Sequence, residues 1–147
     1  MSEPRLRTAV EIRVRYPETD QMGVVYHAHY LAWCDVGRTE LIRGLGKSYA
    51  ELERDGIFLA VSDVAMRYHA PARYDDRVRV ETWVEQVRSR TVEFGYLITR
   101  VEGEGPERLV TARITLVALN RVGSPQKLPA DMLAALRGAL ATQGAVA

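Results

Sequence analysis

One stretch of this chain, residues 28–45, carries its apolar and small side chains at helical spacing, whereas most of the chain beyond residue 57 alternates with a period of two. Tyr30, Trp33, Cys34, Gly37, Leu41, Gly44 and Leu45 recur three and four positions apart and make a single stripe, with Asp35, Thr39 and Arg43 on the opposite side. Gly37 falls in the middle of that stripe, where glycine costs about 0.5–1 kcal/mol relative to alanine. Close approach of a sheet to the helix is the expected return for that cost. The run Gly44-Leu45-Gly46 supplies a helix stop.

Around this helix the pattern predicts strands. Val10, Ile12, Val14 and Tyr16 alternate with Glu11, Arg13 and Arg15, the pattern of a half-buried strand that Pro17 ends. Residues 17–25 are turn formers and small polar residues around Asp20 and Gly23, hence a loop. Residues 47–56 read as a linking segment or a second, short helix. Residues 58–68 form a candidate strand. A second comes from Val78, Val80, Thr82 and Val84, a third from Val92, Phe94, Tyr96 and Ile98, and a fourth from residues 109–119, apolar on both faces. Turns at Arg88-Ser89-Arg90 and at residues 102–106 join the last three into an antiparallel meander. Residues 129–140 read as a closing helix.

The expected fold is therefore α+β, an antiparallel sheet of about five strands on one long helix, in one domain of 147 residues. A single helix covers little of so long a sheet. Uncovered edges, and a second apolar face on residues 109–119 with Val110, Ile114 and Leu116, predict a homo-oligomer, a dimer or a dimer of dimers, that buries them.

Twenty Lys and Arg against 19 Asp and Glu leave a net charge of +1, without the basic footprint of a nucleic-acid binder. No stretch reaches the ~18 apolar residues of a membrane span, and residues 1–15 lack the apolar centre of a leader. Cys34 is the sole cysteine, so neither an internal disulfide nor a cysteine-cluster zinc site is possible. A cytoplasmic protein, with no integral membrane segment, is the expectation.

The most unusual segment, Asp20-Gln21-Met22-Gly23-Val24-Val25-Tyr26-His27-Ala28-His29-Tyr30, leads into the helix. A carboxylate there meets unpaired backbone N–H groups and the positive end of the helix dipole. Taken alone, it could simply stabilise the turn. The segment, however, resembles the pattern Asp-x-x-Gly-x-Val-Tyr-His-x-x-Tyr of the hotdog-fold acyl-CoA thioesterases, in the 4-hydroxybenzoyl-CoA thioesterase branch that includes the Tol–Pal-associated thioesterase. The likeness continues through Arg38-Thr39-Glu40-Leu41-Ile42-Arg43 and Tyr68-His69-Ala70-Pro71-Ala72-Arg73-Tyr74-Asp75-Asp76, from about residue 14 to residue 128.

The resemblance implies a hotdog fold and the hydrolysis of an acyl-CoA thioester to free acid and CoA, without a metal or redox cofactor. It places Asp20 as the catalytic carboxylate, acting as nucleophile or as general base. The backbone N–H at His27 would polarise the carbonyl, and the Tyr26 and His27 side chains would shape the site or orient Asp20. Gly23 and Val25 fall on the substrate-binding loop, and Arg88 and Arg90 match basic residues that touch the nucleotide phosphates. Asp35 departs from the family, which usually carries Glu there. His29 reads as an exposed first-turn residue, Cys34 as a small buried hydrophobe, and Arg73 with Asp75-Asp76 as a turn holding an ion pair. Two other readings compete. A hotdog dehydratase would need a His followed by a Pro-Gly segment, which is missing. A non-catalytic protein that binds acyl-CoA or acyl carrier protein would keep the fold without turnover.

Overall fold

The computed structural model describes residues 7–144; residues 1–6, part of the segment that lacks a leader's apolar centre, lie outside the described residues. In chain order the elements are β1 (Thr8–Arg13), a 3₁₀ turn (Tyr16–Glu18), α1 (Ala28–Gly44), α2 (Tyr49–Arg54), β2 (Phe58–Tyr68), β3 (Arg77–Val87), β4 (Thr91–Arg100), β5 (Glu107–Leu119) and α3 (Ala130–Gly144). The strands form one antiparallel sheet in the order β1-β3-β4-β5-β2, with the expected meander at its centre. The first strand is shorter than its alternation suggests. Tyr16 leaves the ladder and is exposed, because it opens the 3₁₀ turn that Arg15 caps and Pro17 continues.

Alternation along the strands decides which face meets the helix. Val78, Val80 and Val84 of β3, Phe94, Tyr96 and Ile98 of β4, and Val110, Ile114 and Leu116 of β5 are all buried on one face, and α1 lies across β3 and β1 on that side. Val110, Ile114 and Leu116 are thus covered inside a single chain. The expectation that an assembly buries them is corrected: they belong to the helix-facing side, and the outer side of β5 is polar, with Thr111, Arg113 and Thr115. Helix α3 also packs over β3, beside the last turn of α1, so more of the sheet is covered than one helix would allow.

Two details on α1 differ from the stripe. Gly44 is exposed, while Arg38 and Ile42 are buried in its place. Arg38 is neutralised rather than solvated: its guanidinium donates to the hydroxyls of Tyr49 (2.8 Å) and Tyr96 (3.1 Å) and to the Asp35 carboxylate. Gly37 meets the sheet as expected, against Val80 and Thr82. Strand β2 is the exception to burial. It pairs only with β5 among the described residues, and Val61, Val64 and Tyr68 are 47%, 45% and 49% exposed although they face the helix side.

Candidate active site

The Asp20 loop is built by hydrogen bonds that explain its spelling. The Gly23 N–H donates to the Asp20 carbonyl (3.0 Å) and the Asp20 N–H to the Val24 carbonyl (2.8 Å), closing a tight turn. Gly23 adopts φ +81°, a left-handed conformation that favours glycine. The Asp20 Oδ1 accepts from the Met22 N–H at 2.8 Å, as an aspartate opening a turn does. Its Oδ2 makes no hydrogen bond among the described residues, so one oxygen holds the turn and the other is available for chemistry.

A buried carboxylate anchors this loop from below. Glu18 is 5% exposed and accepts from the Arg15 N–H (2.8 Å) and from the indole N–H of Trp33 on α1 (3.0 Å). Burial pushes its carboxyl up, but these bonds and the Arg15 guanidinium outweigh it and hold the group below the ordinary glutamate range. The Tyr26 N–H then donates to the Glu18 carbonyl (2.9 Å) and the Val25 N–H to the Ala72 carbonyl (2.8 Å). The Ala72 N–H in turn donates to the Tyr30 hydroxyl (3.0 Å), so the loop, α1 and the turn before β3 are tied together.

His27 caps α1 with its backbone, not its side chain, and its N–H makes no hydrogen bond among the described residues. The first N–H groups of a helix point outward without helical partners, which makes this end receptive to negative charge. The His27 ring lies against Tyr26 (centroids 4.4 Å apart) and edge-on to Tyr68 (6.4 Å), whose hydroxyl donates to the His27 carbonyl (3.2 Å). Val25, His27, Tyr30, Tyr68, His69, Ala70 and Pro71 line a cleft of about 250 Å³ beside the loop.

The structure therefore brings Asp20, Gly23, Val25, Tyr26 and His27 onto one loop and helix start. It does not bring Arg88 and Arg90 there. They sit in the β3–β4 turn, where the Ser89 carbonyl accepts from Leu128 and the Arg90 carbonyl from Ala118. The loop is tied to the opposite end of β3, through Ala72 and through the Val14–Asp76 pairing. The 11 residues of β3 span about 35 Å at ~3.3 Å each, too far for one chain to use both. The turn at residues 73–76 forms as expected, but its ion pair is different: Asp76 accepts from the Arg73 N–H and pairs with Arg100 (3.0 Å) instead of the Arg73 side chain. Cys34 is fully buried, and burial pushes its thiol up to about 12.

Sequence reasoning misses Glu18 and Tyr30 as parts of the loop's frame. Glu18 carries no local signal, since its burial depends on Trp33 from a later element. Among the described residues no cluster of three His, Cys, Asp or Glu is placed to hold a metal, and no helix is long and apolar enough to cross a membrane.

Residues 22–107 match the thioesterase superfamily, a match that begins just after Asp20. A putative acyl-CoA thioesterase of Bacillus subtilis, YneP, is 46% identical over 94 residues, 64% of this chain and 68% of that protein. The acyl-CoA thioester hydrolase YbgC of Escherichia coli is 32% identical over 124 residues, 84% of this chain and 90% of the relative. In three dimensions the crystal structure of a DHNA-CoA thioesterase from Staphylococcus aureus superposes with a TM-score of 0.88 at 32% identity, covering 95% of this chain and 94% of that one.

Proposed function

This chain belongs to the thioesterase superfamily, with the hotdog architecture, and we propose that it hydrolyses an acyl-CoA to free acid and CoA around Asp20. The observation that carries this reading is the divided Asp20 carboxylate, Oδ1 held by Met22 and Oδ2 open, on a loop that runs directly into the free N–H groups of α1.

Two routes use the same groups. In one, Oδ2 attacks the thioester carbonyl, the C–S bond breaks to release CoA as its thiolate, and water then hydrolyses the acyl anhydride, regenerating the carboxylate and releasing the free acid and the proton that the thiolate takes up. In the other, Oδ2 takes a proton from water as that water adds to the carbonyl, and the proton leaves with the thiol. Both build negative charge on the carbonyl oxygen, and the His27 N–H, without a hydrogen bond among the described residues, is the donor this reading gives it. The His27 ring lines the cleft with the Tyr26 ring packed against it, and Gly23 and Val25 set the loop's shape. Water is the second substrate, and neither route needs a metal or a redox cofactor.

A second protomer is part of this reading. The exposed row Val61, Val64 and Tyr68 on β2 runs beside the cleft, and about 250 Å³ is small against the ~300–1,000 Å³ of typical ligand sites. A partner on that edge, in a dimer or dimer of dimers, would finish the acyl pocket. It would also offer its own Arg88 and Arg90 from the far end of its sheet. A cytoplasmic location goes with this assignment.

Thiol release from a panel of aliphatic and aromatic acyl-CoAs, run on the wild type and Asp20→Asn, tests the proposal. Turnover on one acyl class that falls by about 100-fold or more in the variant, with acyl-CoA binding kept, supports it. Binding without turnover by folded wild-type protein favours the alternative, a non-catalytic protein that holds acyl-CoA or acyl carrier protein.

A further inference from the structure

Helix α1 starts without the usual cap. An N-cap Ser, Asp or Asn has an extended backbone, and its side chain accepts from one of the first N–H groups. His27 at that position already has helical dihedrals, φ −56° and ψ −28°, and its side chain accepts from none of them. A capping side chain would occupy the end of the helix that the acyl-CoA reading leaves open. Helix ends fray, so the start of α1 has to be held by other means.

Two tyrosines hold it. Tyr30, in the first turn of α1, accepts the Ala72 N–H at its hydroxyl (3.0 Å), and the Ala72 carbonyl accepts the Val25 N–H (2.8 Å), which fixes the chain just before the helix. Tyr68, the last residue of β2, donates its hydroxyl to the His27 carbonyl (3.2 Å), which fixes the helix start itself. The two rings meet edge-on with centroids 5.6 Å apart, and Tyr68 stands edge-on to the His27 ring as well. Between these anchors the Tyr26 N–H goes to the Glu18 carbonyl and the Tyr26 carbonyl accepts from His29, both at 2.9 Å. The His27 N–H is left without a hydrogen bond among the described residues. An N-cap carbonyl already accepts the first bond of its helix, so Tyr68 uses the second lone pair and is not needed to satisfy that oxygen. Burial does not account for the tyrosine either, since Tyr68 is half-exposed.

We propose that Tyr68 is a positioning residue for the hydrolysis: through the His27 carbonyl, its hydroxyl fixes the direction of the His27 N–H that polarises the thioester. The N–H and the C=O of one residue flank a single Cα, and only φ and ψ separate their directions. A bond that holds the carbonyl therefore restrains the N–H. A misplacement of about 1 Å at a reacting centre can cost on the order of 100-fold in rate, so a bond that never touches the substrate still bears on kcat. The inference rests on the acyl-CoA reading and deepens it by adding a residue from β2 to the loop and helix start.

Thiol release and thermal melting of the wild type, Tyr68→Phe and Tyr74→Phe test this. Phenylalanine at 68 keeps the ring in the cleft wall and removes only the bond, while Tyr74→Phe removes an exposed hydroxyl from the turn at residues 73–76 as a control. The expected result for Tyr68→Phe is a kcat at least about fivefold lower with KM within about twofold, a melting temperature within about 2 °C of wild type, and an unchanged control. Infrared difference spectra of an acyl-CoA labelled with ¹³C at the thioester carbonyl, bound in the Asp20→Asn background, read the donor directly. Hydrogen bonding lowers the carbonyl stretching frequency, so the bound band should lie below that of the free thioester and move back up when Tyr68→Phe is added. A smaller loss of kcat, a carbonyl band that does not move, or no acyl-CoA binding by the wild type would overturn the proposal. The thioesterase reading fails differently. A wild type that binds acyl-CoA and releases no thiol, with a band that still follows Tyr68, loses hydrolysis and keeps the positioning; turnover that Asp20→Asn abolishes and Tyr68→Phe leaves unchanged does the reverse.

Discussion

Gly37 on α1 and Thr82 on β3 approach so closely that a Cβ added to the glycine would lie 2.4 Å from the threonine hydroxyl oxygen. Thr82 is fully buried, and that oxygen has no hydrogen-bond partner among the described residues. The contact is what sets α1 down on the sheet, and a side chain at position 37 would lift the helix that carries His27 at its start.

Gly37→Ala is therefore expected to destabilise the protein by about 1–3 kcal/mol through overpacking, despite the gain of up to ~1 kcal/mol in helix propensity. Thr82→Ala opens the space that the new methyl needs. In a double-mutant cycle by urea unfolding, the cost of Gly37→Ala should shrink by at least about 1 kcal/mol in the Thr82→Ala background. Additive costs would show that the strain lies elsewhere.

Glu18 makes stability depend on acid. Its carboxyl titrates below the ordinary glutamate range in the folded chain, so its contribution is present above the unfolded pKa of ~4.3 and is lost as pH falls through the lower, folded value. Melting temperatures of wild type and Glu18→Gln should differ most near neutral pH, with the wild type higher, and should converge as the solution is acidified below about pH 4. A gap that stays constant with pH would assign the loss to packing rather than to charge.

Cys34 should be inert in the native protein. With the thiol fully buried and its pKa at about 12, thiolate is scarce at neutral pH and reagents have no access. Iodoacetamide labelling followed by mass should be slow when folded and rapid in denaturant, and Cys34→Ala should leave kcat within about twofold while lowering stability through the cavity it makes. Fast native labelling would contradict the packing of α1 against the sheet.

Periodicity makes most elements legible. Residues 28–45 and 58–68 are legible nearly to their ends because apolar spacing is a local property that each segment carries by itself. The glycine in the middle of α1 is legible for the same reason, since nothing local repays its cost. The order Asp20-x-x-Gly23 is legible as a turn, and the structure supplies its reason in the left-handed Gly23 and the bond from Met22 to Asp20.

Other assignments depend on partners far along the chain. Arg38 reads as a polar helix residue and is buried, because Tyr49 and Tyr96 from two other elements satisfy its donors. Val110, Ile114 and Leu116 read as a face awaiting a partner, yet the pleat turns them toward α1, a choice of side that alternation alone leaves open. Arg88 and Arg90 carry the right chemistry but sit at the far end of the sheet, since strand length separates them from Asp20.

Local spacing thus dictates which segments are helix and strand, where the chain turns, and which loop carries the acidic residue, because each of these is a relation between near neighbours. Folding alone selects which charges are neutralised and which face is core. Those properties belong to pairs of residues that meet only in the folded chain, such as Glu18 with Trp33 or Arg67 with Thr111, and no local pattern encodes them.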